Sequence, residues 1–101
     1  MARTPIHPGE ILADELEELG ISAAATARTL GVPTNRITQI LSGDRAITAD
    51  TALRLSRWFG TSPEFWLNLQ KRYELRVAEQ ENGKEIRKRV TPLPLNPVSP
   101  A

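Results

Sequence analysis

Residues 30–48 read LGVPTNRITQILSGDRAIT, and Thr34, Asn35, Arg36, Thr38 and Gln39 crowd five hydrogen-bonding side chains into their centre. Ile37, Ile40 and Leu41 recur among them at helical spacing. That spacing predicts a short helix from about Pro33 to Leu41, apolar face inward, with Gly43 just beyond its end. Taken alone, the polar face is either ordinary solvated surface or a surface that reads another molecule.

Upstream, Ser22 is placed to cap a helix, SAAATARTL, that Gly31 terminates. Its alanines let another helix backbone approach closely. Only G-V-P separates it from the next helix. Two short helices, a tight Gly-containing turn and an apolar residue (Val32) inside the turn give helix-turn-helix spacing.

The remaining elements follow outward. Pro8 opens a first helix, with Glu10 in its first turn, Ile11, Leu12, Leu16 and Leu19 in phase, and Gly20 as its stop. Thr48 caps a fourth helix, ADTALRLSRWF, in which Ala52, Leu55 and Phe59 share a face flanked by Leu53. Ser62 and Pro63 open a fifth, through Phe65, Trp66, Leu69, Tyr73 and Val77 to about Gln80. After ENGKE the pattern decays into IRKRV and TPLPLNPVSPA, an extended tail. Only Arg89 to Leu93 could pair as a strand. The reading is an all-α domain of five helices over 1–81 and a basic, proline-rich tail over 82–101.

Composition narrows the function. One hundred and one residues, 40% hydrophobic, suit one modest core. Without cysteine there are no disulfides or thiolate metal sites, and the lone His7 lacks partners for zinc. No apolar run has the length of a membrane span and MARTPIHPGE lacks a signal-peptide core, so a cytoplasmic protein without a membrane partner is expected. There is no nucleophile elbow or Gly-rich phosphate loop, so neither an enzyme nor a cofactor or small-molecule substrate is expected. The net charge of +1 hides a polarity. Glu10, Asp14, Glu15, Glu17 and Glu18 are five of the twelve acids, whereas residues 19–101 carry 12 basic and 7 acidic side chains.

In a helix-turn-helix the second helix enters the major groove. Arginine there suits guanine O6/N7, Asn and Gln suit adenine N6/N7, and threonine can bond a base or meet a thymine methyl. Thr34, Asn35, Arg36, Thr38 and Gln39 are therefore the candidate base readers. Ser22, Thr26 and Arg28 on the preceding helix, with Ser42 and Arg45 after the reader, are candidate phosphate anchors. A two-fold operator needs a dimer, and Trp66, Leu69 and Tyr73 on the fifth helix are the candidate seam. Asp14, Glu15, Glu17 and Glu18 are either a solvated face or a docking surface for a basic protein. Lys84, Arg87, Lys88 and Arg89 read as a solvated basic stretch.

HPGEIL, the 30–48 stretch, TALRL and GTSPEFWLNLQKRYEL together resemble the HigA-type antitoxins, a branch of the XRE/Cro-like helix-turn-helix proteins. The resemblance spans about residues 5–78, and HPGE and SPEFWLNLQ are its most specific parts. It implies a lambda-repressor-like domain and a dimeric antitoxin that neutralises a HigB-type mRNA-cleaving RNase toxin. It also implies repression of the shared promoter at a palindromic, double-stranded operator. The family's readers would fall on Thr34, Asn35, Arg36, Thr38 and Gln39. Ala23 stands where a glutamine is common, and Asp44 where a lysine is, which implies modest affinity that leans on the dimer. An orphan regulator without a toxin, or an interaction module that no longer binds DNA, are the alternatives.

Overall fold

The computed structural model describes residues 4–94, which form α1 (Pro8–Leu19), α2 (Ala23–Leu30), α3 (Thr34–Leu41), α4 (Ala49–Phe59) and α5 (Pro63–Arg89). No strand occurs among the described residues, in keeping with an all-α domain, and Arg89 to Leu93, the one stretch that could have paired, forms none. Of the proline-rich stretch, residues 95–101 lie outside the described part.

The caps follow from local chemistry. The Ser22 and Ser62 hydroxyls accept from the backbone N–H of Ala25 and Phe65, at 3.1 and 3.2 Å. Each satisfies a first-turn donor that has no partner within its helix. Thr48 sits at the N-cap of α4 but makes no such bond. Its hydroxyl lies 3.5 Å from that of Thr51 instead. Gly31 ends α2 at φ +72°, and the Val32 N–H then reaches back to the Ala27 carbonyl at 3.0 Å. That left-handed turn is what lets α3 begin within three residues.

One core unites the helices: Leu12 and Leu16 of α1, Ala27 and Leu30 of α2, Ile37 and Ile40 of α3, Ile47, Ala52 and Leu55 around α4, and Trp66 of α5. Burying each of the larger aliphatic side chains contributes about 1.5–3 kcal/mol. Ala27, a small residue, is buried on α2, which packs most extensively on α3. At the other end, a Cβ on Gly9 would collide with the Ile40 carbonyl. Glycine thus lets the first turn of α1 rest against a carbonyl at the end of α3.

The fifth helix departs from expectation. It does not stop near Gln80 but continues through ENGKEIRKR to Arg89, across the 81/82 division, and spans about 40 Å. Asn82 and Gly83 look like a stop, yet Glu, Lys, Arg and Gln on both sides are strong helix formers. An Arg87–Glu79 ion pair at 2.6 Å spans them along the helix.

Candidate nucleic-acid interface

The buried stripe of α3 fixes what its other side can show. With Ile37 and Ile40 fully buried, Thr34, Asn35 and Thr38 stand on the exposed face, and Arg36 and Gln39 flank it half-buried. The structure thus brings all five candidate readers onto one short helix, three open to solvent and two held by neighbours.

The Arg36 Nη1 donates to Asp50 Oδ2 at 2.7 Å. The same oxygen accepts from Arg54 Nε at 2.9 Å, and Arg54 Nη1 donates to the Leu30 carbonyl at 2.8 Å. The Arg54 guanidinium, and after it that of Arg36, holds the Asp50 carboxyl below the usual carboxylate range. Gln39 Oε1 accepts from Arg45 Nε at 2.8 Å. An adenine contact needs both the oxygen and the NH2 of Gln39. The Arg45 contact takes one of the two lone pairs of that oxygen, so the other lone pair and the NH2 remain to face a base.

The candidate phosphate anchors divide. Ser22, Arg28, Ser42 and Arg45 are exposed along α2 and the loop after α3. The Ser42 hydroxyl is 2.8 Å from Asp44 Oδ2 and 3.1 Å from the Gln39 carbonyl, which stiffens that loop. Thr26 is a correction. It is fully buried, and its hydroxyl donates to the Ser22 carbonyl at 2.9 Å. A threonine one turn after a cap can turn its hydroxyl back onto the helix, which removes it from any phosphate.

The candidate seam needs a correction as well. Trp66 is 2% exposed, inside the core, with its Nε1 donating to Thr61 Oγ1 at 3.2 Å. Phe65, its neighbour on the fifth helix, is 43% exposed and sits edge-on to the Trp66 ring. The rotational phase of α5 is the reason: its inward side carries Trp66 and Gln70, one turn apart, which sets Phe65 outward. Leu69 and Tyr73 remain half-buried and line an open cleft with Ile6, Ile11, Arg72 and Arg76. Asp14, Glu15, Glu17 and Glu18 are all exposed on α1 and form no ion pair among the described residues.

Four positioning residues escaped the sequence reading. His7 caps α1, its Nδ1 accepting from the Gly9 N–H at 2.8 Å while its own N–H donates to Glu10 Oε2 at 3.1 Å. The H-x-x-E spacing of a capping box was the visible signal. The His7 ring also meets the Tyr73 ring edge-on at 4.8 Å. Burial lowers its pKa, against the opposing pull of Glu10, the Arg45 backbone, Asp44 and Glu74. Buried Gln70 accepts from the Ile47 N–H at 2.8 Å and donates to Glu74 at 2.8 Å, pinning the segment before α4 to α5. Asp50 and Arg54 complete the set. Their partners lie 14 and 24 residues away, beyond any local pattern.

A helix-turn-helix family model matches residues 12–66. The chain is 59% identical to the solved structure of an addiction module antidote protein of the HigA family from Coxiella burnetii, with a TM-score of 0.87 over 89% of this chain and 99% of that one. It is 51% identical to Pseudomonas aeruginosa antitoxin HigA, solved with the higBA promoter, with a TM-score of 0.86 over 88% of this chain and 98% of that one. Virulence-associated protein I of Dichelobacter nodosus is 53% identical over 77 residues, 75% of this chain and 71% of that protein.

Proposed function

The chain belongs to the HigA-type branch of the XRE-type helix-turn-helix family, and from that premise we propose that it is a DNA-binding antitoxin. As a dimer it represses its own promoter at a palindromic operator. In its other role it neutralises a small, basic, HigB-type RNase toxin. The observation that carries the DNA half is the outward face of α3: Thr34, Asn35 and Thr38 exposed together, with Arg36 beside them and Arg45 held to Gln39. The Pseudomonas aeruginosa relative solved with its promoter supports the same reading.

Base readout falls to Thr34, Asn35, Arg36, Thr38 and Gln39, and phosphate contacts to Ser22, Arg28, Ser42 and Arg45. Few anchors per protomer mean weak binding by one copy and marked salt sensitivity. The cleft of Leu69 and Tyr73 is the seam through which a second copy adds the second half-site. The toxin surface is the acidic face of α1, where Asp14, Glu15, Glu17 and Glu18 hold no partner of their own among the described residues.

The test is binding to the DNA upstream of the chain's own gene. Arg36→Ala combined with Gln39→Ala abolishes selection of that fragment over a scrambled duplex; unchanged selection would falsify the assignment of readers. For the toxin half, reversing Glu15, Glu17 and Glu18 to Lys weakens neutralisation of the neighbouring gene's product. Full neutralisation by that variant removes the acidic face from the proposal.

A further inference from the structure

An arginine that reads a base must be aimed before it can discriminate. Arg36 carries five N–H donors in a rigid planar fork. Asp50 takes one of them, on Nη1, at 2.7 Å, which leaves the Nη2 and Nε edge of the fork free. That edge suffices for the bidentate contact to guanine O6 and N7. Asp50 is itself fixed, because the oxygen that holds Arg36 also receives Arg54 Nε at 2.9 Å. Arg54 is tied in turn to the Leu30 carbonyl at the end of α2. The relay therefore joins the end of α2, the first turn of α4 and the reader side chain of α3. Two guanidiniums around one carboxylate leave the triad cationic, so Asp50 does not turn the site against phosphates.

Resting on the DNA-reading role given above, we infer that Asp50 and Arg54 are positioning residues that aim Arg36 at a guanine and set the specificity of one base pair in each half-site. Neither contacts DNA for this purpose. They act by ordering the Arg36 fork in the free protein, so that less freedom is lost on binding. A carboxylate one residue into the first turn of α4 is thus more than a complement to that helix's dipole.

The experiment uses the full chain, the upstream promoter fragment, a scrambled duplex, and a set of fragments with each palindrome base pair replaced in turn. Arg36→Ala first identifies the position that Arg36 reads. Asp50→Asn, close in shape, is expected to weaken binding to the fragment about tenfold. Discrimination should be lost at that same position alone, with the salt dependence unchanged because no phosphate contact is removed. Asp50→Glu should restore part of the loss. In the Arg36→Ala background, Asp50→Asn should cost less than about twofold, the signature of residues that act through one another.

Wild-type affinity in Asp50→Asn, or a loss equal on every sequence, overturns the positioning role. So does a full loss in the Arg36→Ala background. If the wild-type chain fails to prefer the promoter fragment over the scrambled duplex, the DNA-reading role itself falls and this inference with it.

Discussion

The helices α3 and α5 solve opposite problems. The eight residues of α3 are too few to hold a helix alone, and they are held by neighbours: Ile37 and Ile40 lock into the core, and Arg36 and Gln39 are tied from outside. The 27 residues of α5 begin the same way, with Trp66 and Gln70 buried, but the second half has no core under it. There Ile86 is exposed, and helix-forming composition does what packing does elsewhere. The contrast teaches that a recognition surface here is made rigid by tertiary contacts, whereas length is supplied by local preference.

The sharpest way to break that comparison is a pair of isoleucines. Ile37→Ala should cost about 2–5 kcal/mol in urea denaturation, because it opens a cavity in a sealed core. Ile86→Ala, half exposed on the distal part of α5, should stay within about 0.5 kcal/mol. Equal losses would mean that the distal helix is packed after all.

An intermediate effect should come from His7, which joins the start of α1 to the first half of α5. Its folded-state pKa is lowered by burial, so the unfolded chain binds the proton more readily than the folded one. Stability is therefore greatest above the ordinary histidine range. It falls as pH drops through that range towards the lower folded value, and below that value this contribution is constant. Thermal unfolding followed from about pH 8 to pH 5 should show the decline. His7→Asn, which keeps a capping oxygen, should flatten it. A slope that survives the substitution belongs to another group.

The smallest effect is expected at Gly83. The three atoms nearest a Cβ there all belong to the Glu79 carboxyl group, the far end of a long side chain that would shift together with its Arg87 partner. Gly83→Ala should strengthen the distal helix by roughly 0.5–1 kcal/mol. Amide exchange across residues 80–89 should slow while the main unfolding transition barely moves. Faster exchange would show that glycine is needed there for close contact.

Much of the architecture is local and so was legible. Ser22, Ser62, Gly20, Gly31 and Gly60 mark helix ends by chemistry that acts within four residues. The five polar residues of α3 were readable for the same reason, since Ile37 and Ile40 fix the helix phase. What stayed hidden was set by distance or by rotation. The i,i+4 spacing of Asp50 and Arg54 is local, but nothing near Asp50 tells that it will also meet Arg36, and nothing near Gln70 points to the Ile47 amide. Trp66 and Phe65 are adjacent aromatics, and only the packing of α5 on α4 decides which turns inward. Thr26 misled because a small polar residue on α2 has two uses, and its hydroxyl turned back to its own helix. The end of α5 was missed because Asn82 and Gly83 are breakers by type but sit in a stretch whose other residues favour helix.

The contact between His7 and Tyr73 also has a consequence for biosynthesis. The first helix leaves the ribosome early, but the ring that braces its cap belongs to α5 and is made only after α2, α3 and α4. A nascent chain can therefore form the turn between α2 and α3 from neighbouring residues while its amino terminus still lacks that brace. A chain cut short before Tyr73 would therefore carry the reader helix but leave the cap of its first helix without that ring.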